Sequence, residues 1–452
     1  MNSRTKGQAG SNPLAFDVTH RMVLSIAIPM TLGFMTTPLL GLTNTAVVGH
    51  MGVAEALAGL AIGAMLFDLI FGSFNFLRAS TTGLTAQAFG RRDGREQQAI
   101  FWRALILSFG CGAALLALSP LLLRAGLALM GAEAAVADAT ATYFSIRILA
   151  GPAALANYAI LGFVLGRGQG ALGLLLQSII NGINIALSIY LGLHLGWGVS
   201  GVAWGTAAGE TVGMLAGLFL VLRRFEAGER PTLAEIFQRQ RLAALFALNR
   251  DILIRTFVLI GSFTLMTRIG TGFGAVTLAA NAVLMNFFLL ASYYLDGLAN
   301  AAEQIAGRAI GAHYRPAFER GLKLVLLWSF GLAAAGGLFF LLAGPWLISA
   351  LTTAPDVRQA AETYLPWAAV TGLTGALAFL MDGVFIGATW SSDMRNRMLM
   401  SFLGYLAALT VFVPLLGNHG LWLAMNAFLL FRGLFLAMLL KKRTDQTFRS
   451  AQ

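Results

Sequence analysis

Residues 199–222 read VSGVAWGTAAGETVGMLAGLFLVL, and two arginines, Arg223 and Arg224, follow at once. Glu210 is the one ionisable side chain among the small and apolar residues of this stretch. A hydrocarbon core about 30 Å thick needs roughly 20 helical residues to cross it. The pattern therefore predicts a transmembrane helix whose positively charged flank lies on one side of the bilayer.

Apolar stretches of this kind recur through the whole chain. Its 452 residues are 57% hydrophobic and 11% charged, whereas soluble domains carry roughly 25% charged residues. The mean hydropathy is +0.74, so water is not the solvent for most of the surface. Apolar runs between charged or Gly/Pro-marked breaks predict twelve spans, near residues 22–48, 53–80, 97–123, 138–165, 171–193, 199–222, 251–270, 277–307, 318–343, 358–387, 397–416 and 420–440.

Lysine and arginine concentrate on one side of these predicted spans. That side holds the N-terminal tail, the connections after residues 80, 165, 222, 307 and 387, and the C-terminal tail, whereas the opposite side has only Arg124 and Arg358. Positive residues favour cytoplasmic loops and meet anionic lipid there. The bias predicts an inner-membrane protein with both termini in the cytoplasm, and it accounts for the net charge of +11 without nucleic acid as a partner.

Several function classes have no motif in the sequence. A Walker-type phosphate loop and an HExxH zinc motif do not occur, and the one cysteine, Cys111, lies in an apolar run and has no partner for an internal disulfide. No nucleophile–base pair or metal-ligand spacing is recognisable within the spans. We therefore expect neither an enzyme nor a cofactor protein.

The chain contains an internal repeat with an offset of 221 residues. The offset aligns Tyr143 with Tyr364 and Gly162 with Gly383, and it also pairs AQAFG, ending at Gly90, with GRAIG. Each half has six spans, an even number, so both halves have the same orientation, as in parallel repeats related by an axis along the membrane normal. We predict an all-α membrane protein of twelve helices in two six-helix lobes.

The predicted organisation has five parts, which are a cytoplasmic tail (1–21), an N-lobe (22–222), an amphipathic cytoplasmic linker (223–250), a C-lobe (251–440) and a second cytoplasmic tail (441–452).

Ionisable residues inside the spans are the strongest functional signal. A charge at mid-membrane costs roughly 2.5–3.5 kcal/mol on insertion scales, so such a residue usually faces a cavity or a partner. The intramembrane acids are Asp68, Glu210, Asp296, Glu303 and Asp382. The cations are Arg78, Arg103, Arg147, Arg255, Arg268 and Arg432, and the simplest role of Arg432 is to neutralise one of the acids.

Seven stretches together resemble one transporter family. They are PLLGLTNTAVVGHMG (38–52), FLRASTTGLTAQAFG (76–90), FALNRDILIR (246–255), ANAVLMNF (280–287), YLDGLANAAE (294–303), LMDGVFIGAT (380–389) and LGNHGLWLA (416–424). The likeness is to the DinF-like branch of the multidrug and toxic compound extrusion (MATE) transporters. It implies two six-helix lobes around a central cleft and export of organic cations and other amphipathic compounds in exchange for protons or sodium.

The resemblance also identifies polar positions of an N-lobe site. Where the family usually has an aspartate in the first span this chain has Asn44, and where it has one in the fifth span this chain has Ser188. Asn184 and Thr206 match the remaining polar positions. We expect these four residues, together with Arg255 and Tyr293, to line the substrate cavity.

Two hypotheses for ion coupling follow, because an amide and a hydroxyl do not carry a proton at physiological pH. In the first, the acid function of the N-lobe has moved to Asp68 and Glu210. In the second, coupling lies in the C-lobe, where Asp296, Glu303 and Asp382 keep the pattern of the DinF-like branch. The sequence does not locate a sodium site.

We predict a monomeric secondary antiporter whose partners are small amphipathic or cationic compounds, protons or sodium ions, and membrane lipid. The alternative is a flippase for lipid-linked intermediates, which shares the two-lobe architecture. A flippase for phosphate-bearing substrates needs a more cationic cleft, for which Arg147, Arg255 and Arg432 are the candidates. A ligand-binding receptor is a third reading, but the loops are too short to contain a separate sensing domain.

Overall fold

Long helices dominate the computed structural model, which describes residues 14–131 and 133–449. Within these ranges twelve helices are long and apolar enough to cross a membrane. They are α1 (His20–Gly49), α2 (Ala54–Gly90), α3 (Gly94–Met130), α4 (Ala134–Gly166), α5 (Gly170–His194), α6 (Gly198–Leu222), α7 (Leu233–Phe273), α8 (Ala275–Gly311), α9 (Arg315–Leu351), α10 (Pro355–Gly387), α11 (Ser391–Leu416) and α12 (Asn418–Arg449). Every predicted span is found.

Several helices extend beyond the predicted spans, most clearly at α7. Its long segment begins at Arg239, so the second half of the predicted 223–250 linker is already helical. A short turn of helix precedes it, in which Thr232 and Glu235 form a reciprocal capping box. Amphipathic residues at a membrane surface satisfy their backbone groups best by continuing the helix, and a hydropathy threshold cannot detect this extension.

The predicted parallel repeat is confirmed by the helix ends. Three helices of the second half begin and end 221 residues after their counterparts in the first. They are α8 after α2 (Ala54 to Ala275, Gly90 to Gly311), α9 after α3 (Gly94 to Arg315, Met130 to Leu351) and α10 after α4 (Ala134 to Pro355, Gly166 to Gly387). The left-handed turns that follow also correspond, with Arg92 matching His313 and Gly168 matching Thr389.

The two lobes meet closely along α2 and α8. We call the end of the bundle where α2, α4, α8 and α10 terminate the basic end, because its connections hold most of the arginines. There a Cβ at Gly90 would collide with the carbonyl of Arg308, and a Cβ at Gly311 would collide with the carbonyl of Gln87. Glycine permits this backbone-to-backbone approach, so the lobes are in direct contact at the basic end.

Irregular turns divide three helices next to polar residues. α2 is interrupted at Phe74 and Asn75, one helical turn before Arg78. α4 tightens into a 3₁₀ turn at Ile148–Ala150, directly after Arg147. α5 ends in a π-helical segment, Ser188–His194. Such turns are frequent at functional sites in helical proteins.

Candidate functional site

A cavity of about 380 Å³ lies inside the N-lobe, enclosed by α1, α2, α4, α5 and α6. Its lining includes two carboxylates, Asp68 from α2 and Glu210 from α6, and the guanidinium of Arg147 from α4. Three separate helices therefore bring together the two acids that the sequence proposed for the N-lobe. Arg78 of α2 also lines the cavity, so four charged groups there can respond to a cation or to a proton.

Glu210 is held in place by an amide. The Nδ2 atom of Asn157, on α4, donates hydrogen bonds to the Glu210 side-chain Oε2 at 2.8 Å and to the Glu210 carbonyl at 2.9 Å. Asn157 lines the same cavity. An amide inside a span often joins two helices, and Asn157 joins α4 to α6 in this way.

Arg147 lines the same cavity as the two acids without a direct salt bridge among the described residues. Its guanidinium lies over the ring of Phe67, 4.4 Å from the centroid, and donates a 2.9 Å hydrogen bond to the hydroxyl of Tyr143. No carboxylate of the described chain lies within 4.0 Å of it. Its charge nevertheless acts on both Asp68 and Glu210, and the Asp68 side chain is exposed within the cavity.

Asp382 is the acid of a second cluster, in the C-lobe. Arg432, on α12, donates a 2.7 Å hydrogen bond to Asp382 Oδ2, and Arg255, on α7, donates to the same oxygen. Asp382 and Arg432 are both buried. Arg432 thus does neutralise one of the acids, and Arg255, which we expected to line a substrate cavity, is occupied by the same carboxylate.

Arg78 connects the two lobes. From α2 it donates a 2.7 Å hydrogen bond to Asn300 Oδ1 on α8, and its Nη1 lies 3.6 Å from Oε2 of Glu303, one helical turn further along α8. Asn300 in turn donates to the Asp296 carbonyl at 2.7 Å. Glu303 is 2% exposed, and its Oε1 has no hydrogen-bond partner within the described ranges. Two of the predicted acids of α8 are thus linked to one arginine of the N-lobe, Glu303 directly and Asp296 through Asn300.

Tyr293 lies near carboxylates of both lobes. The charges of Asp296, on its own helix, and of Asp68, across the lobe boundary, both act on its hydroxyl. Arg78, which lines the N-lobe cavity, lies 3.6 Å from Glu303, so the C-lobe acids and this cavity are within electrostatic range of each other.

Comparison with known proteins gives the family. The MatE family model matches residues 29–190 and again 252–412, one match in each lobe. The DNA damage-inducible protein F of Escherichia coli is 35% identical over 424 residues, which are 92% of this chain and 91% of that protein. The chain belongs to the MATE family. The resemblance inferred from the sequence is thereby confirmed.

Other relatives agree with this MATE assignment. Protein DETOXIFICATION 44, chloroplastic, of Arabidopsis thaliana is 26% identical over 91% of this chain and 80% of that protein. A solved MOP superfamily transporter from Pyrococcus furiosus has a TM-score of 0.87 at 16% identity, with 98% of this chain and 99% of that one covered.

A multidrug resistance MATE family transporter, solved in an outward-facing conformation, has a TM-score of 0.86 at 18% identity and covers 98% of this chain and 100% of its own. The predicted fold of twelve helices in two lobes is confirmed, and this MATE protein is a membrane transporter rather than an enzyme.

The family-matched polar positions of the N-lobe lie outside the cavity in this conformation. Ser188 donates to Asn184 Oδ1 at 3.0 Å, and Asn184 donates to the Thr206 hydroxyl at 3.1 Å. All three are buried, as is Asn44, whose Oδ1 has no partner among the described residues. They do not adjoin Asp68 and Glu210 in the cavity lining.

Sequence reasoning missed the role of Arg78 as a contact between lobes. The residue was visible as a charge inside an apolar span, and its position just after the break at Phe74 and Asn75 is a local signal. Its partners on α8 are more than two hundred residues away, so no local pattern could identify them. Within the described ranges, no group of three or more His, Cys, Asp or Glu side chains is arranged to hold a metal ion.

Proposed function

We propose that this protein is a secondary antiporter of the inner membrane that exports small amphipathic cations in exchange for protons or sodium. The observation that carries the proposal is the N-lobe cavity, in which Asp68 and Glu210 lie with Arg147, which forms no salt bridge within the described ranges. Arg78 also lines the cavity but lies next to Glu303, so three carboxylates and two guanidinium groups leave spare negative charge, which suits a cationic ligand or a proton. The apolar walls around them suit an amphipathic compound.

The charge distribution favours this function over a lipid-intermediate flippase. A flippase for phosphate-bearing substrates needs free cations in its cleft, but Arg255 and Arg432 both contact Asp382, and Arg78 lies next to Glu303. Arg147 is the remaining candidate, and it shares its cavity with two carboxylates. An anionic substrate in the N-lobe cavity would therefore lie close to two carboxylates, Asp68 and Glu210.

Coupling in the N-lobe requires that Asp68 or Glu210 change protonation during transport. Neutralising either acid would remove its electrostatic attraction for Arg147 and reduce the affinity of the cavity for a cation. Asp68 suits this role because its side chain is exposed within the cavity, and Glu210 suits it because Asn157 fixes its carboxylate. We place primary coupling here.

The C-lobe acids form the second coupling hypothesis. Asp296 and Glu303 lie on the α8 segment that faces Arg78, so a change in their charge would alter the contact between the lobes. Asp382 is held by two arginines and is best suited to a structural role. Protonation of Glu303 would weaken its attraction for Arg78 and favour separation of α2 from α8.

We further propose that the basic end faces the cytoplasm, with both termini there, and that residues 22–222 and 251–440 are the two moving lobes of a monomer. The positive-inside rule supports this orientation. The close contact of Gly90 and Gly311 would then close the cytoplasmic side, in keeping with the likeness to an outward-facing transporter. Residues 1–13 and 450–452 of the proposed tails lie outside the described residues.

The test is transport by the reconstituted protein. Proton flux and efflux of a cationic dye are measured in proteoliposomes and everted vesicles, with proton and sodium gradients imposed separately. Asp68→Asn, Glu210→Gln and Asp296→Asn are compared with the wild type, and Asp138→Asn, an exposed aspartate outside both clusters, is the matched control.

Loss of antiport in the first two variants alone supports coupling in the N-lobe. Loss in Asp296→Asn alone moves coupling to the C-lobe. Unchanged antiport in all three variants contradicts both hypotheses.

A further inference from the structure

A second pocket lies at the basic end, has no lining residue in common with the proposed transport cavity, and has a volume of about 300 Å³. Its lining contains four arginines from four separate segments: Arg92 between α2 and α3, Arg167 between α4 and α5, Arg224 after α6, and Arg308 on α8. The proposed transport mechanism uses none of these residues. A convergence of guanidinium groups in one concave site calls for its own explanation.

Both halves of the protein contribute to this pocket. Arg92, Arg167 and Arg224 belong to the first half, whereas Arg308 belongs to the second. Gly90, at the contact between the lobes, is also part of the lining, and the Arg308 carbonyl lies directly against it. A ligand held by all four arginines would therefore span the boundary between the lobes.

The four guanidinium groups lack ionic partners. Across the described ranges no carboxylate lies within 4.0 Å of any of them, and the sequence has no acidic residue among residues 1–13. Arg308 lies over the rings of Phe16 and Phe89, at 3.9 and 5.2 Å from their centroids. No salt bridge in the described part of the chain neutralises these guanidinium groups, and aromatic rings and an amide oxygen contact them instead.

Arg167 is the most constrained of the four. Its Nε is buried and has no hydrogen-bond partner in the described chain. Burial lowers the pKa of its guanidinium, and the neighbouring charge of Arg224, which donates to Gln169 Oε1 at 2.8 Å, lowers it further. A buried donor without an acceptor is costly, and an anion in the pocket would supply the acceptor.

Two carboxylates also line the pocket and offset part of its positive charge. Glu226 is exposed, and the Glu229 carboxylate packs against Gly94 at the first turn of α3, where a negative charge is favoured by the helix N-terminus. Their charges act on Arg167 without forming a salt bridge. Four guanidinium groups against two carboxylates leave a net positive site.

The internal repeat indicates that this cluster is not simply part of a general excess of basic residues at the basic end. The positions 221 residues away from Arg92, Arg167, Arg224 and Arg308 hold His313, Ala388, Asp445 and Gln87. None of the four arginines therefore has a lysine or arginine at its repeat-related position. A topology rule that merely required positive charge at the basic end would act on both halves alike.

We propose that this pocket binds a phosphate-bearing anion, from the headgroup of an anionic lipid or from free phosphate, and that the anion holds the two lobes together at the basic end. Guanidinium groups bind phosphate oxygens through paired, charge-assisted hydrogen bonds. Arg92 and Arg224 are exposed and reach the ligand from outside, whereas Arg167 and Arg308 are half-buried and contact it from within.

Binding is tested on the purified full-length protein in two arms. In the first, inorganic phosphate is titrated at constant ionic strength, with chloride as the reference, and the midpoint of thermal unfolding is followed. In the second, the protein is taken from nanodiscs of phosphatidylcholine with or without phosphatidylglycerol, and retained lipid is counted by native mass spectrometry. The pocket variant carries Arg92→Gln and Arg224→Gln, both at exposed positions.

The matched control carries Arg230→Gln and Arg239→Gln, two exposed arginines of the basic end outside the pocket lining. We expect the wild type and the control to bind and the pocket variant to bind about tenfold more weakly or worse, since each charge-assisted hydrogen bond contributes roughly that factor. Loss in the phosphate arm alone identifies a free anion, and loss in the lipid arm identifies a headgroup. An equal loss in the control, or no binding by the wild type in either arm, overturns the proposal.

Discussion

The Nη1 atom of Arg78 on α2 lies 3.6 Å from Oε2 of Glu303 on α8, and this pair joins the two lobes. Both side chains are largely buried, with 13% and 2% exposed. Arg78 is further fixed by Asn75 Oδ1 at 3.1 Å, just after the break in α2. An ion pair between two bodies that are proposed to separate makes the lobe contact dependent on the charge of one carboxylate.

Replacing Arg78 should destabilise this conformation. Arg78→Met leaves Glu303 buried without its cation, and breaking a buried pair in this way costs about 3–5 kcal/mol. We expect a lower midpoint of thermal unfolding in detergent, with part of the loss restored in the Arg78→Met, Glu303→Gln double variant. Glu319→Gln, which removes an exposed pair with Arg315, should change the midpoint little. Additive effects of the two changes at positions 78 and 303 would contradict the coupling.

The Asp382 cluster should be chiefly structural. Arg432→Leu removes one of its two arginines inside the C-lobe, so we expect a loss of stability of about 3–5 kcal/mol and poor recovery of folded protein, measured by size-exclusion chromatography and thermal unfolding. Asp382→Asn leaves the buried Arg432 and the half-buried Arg255 without their carboxylate and should be similarly damaging. A stable Arg432→Leu protein that has lost only antiport would assign this cluster to coupling instead.

Asp68→Asn should uncouple transport while the protein stays folded. Each coupled charge supplies about 2.3 kcal/mol at 100 mV, so losing one reduces cation accumulation by up to about fifty-fold. The Asp68 carboxylate is exposed in its cavity and accepts no hydrogen bond from the described residues, so little stability should be lost. The readout is dye accumulation at a fixed proton gradient, with Asp138→Asn retaining full accumulation.

The glycine contact between α2 and α8 should not tolerate a methyl group. Gly311→Ala places a Cβ against the Gln87 carbonyl, and overpacking of this kind costs about 1–3 kcal/mol. Gly110→Ala in α3, where no atom lies within 4 Å, gains helix propensity and should be neutral or stabilising by up to about 1 kcal/mol. Thermal unfolding of the two variants side by side gives the comparison, and equal midpoints would argue against a tight contact.

The spans and the repeat were predictable because they depend on properties that a sequence displays directly. Apolar length defines a span, and glycines at helix ends such as Gly90 and Gly311 keep the offset of the repeat visible. The partners of Arg78 and the cavity shared by Asp68 and Glu210 were not predictable in the same way. They depend on how each helix is rotated about its axis, and near-uniformly apolar helices contain little periodic signal to determine that rotation.

The polar positions of the DinF-like motifs illustrate the same limit. Asn184, Ser188 and Thr206 were identified from the resemblance, and they do lie together in a hydrogen-bonded group. Their burial could not be read from the sequence, because it depends on how closely α5 and α6 pack, with Gly205 against Ser188 and Gly209 against Asn184. Whether they line a cavity during transport stays a prediction.

The glycine contact at the basic end has a consequence for how the lobes can separate. Where two surfaces meet through interlocking side chains, parting them exposes apolar area and forces many rotamers to reset. Here Gly90 and Gly311 meet bare backbone on the opposing helix, so the surfaces can part with little rearrangement of their own atoms. This backbone contact can break and re-form repeatedly with a small change in free energy. The charged groups around it can then determine when the lobes separate.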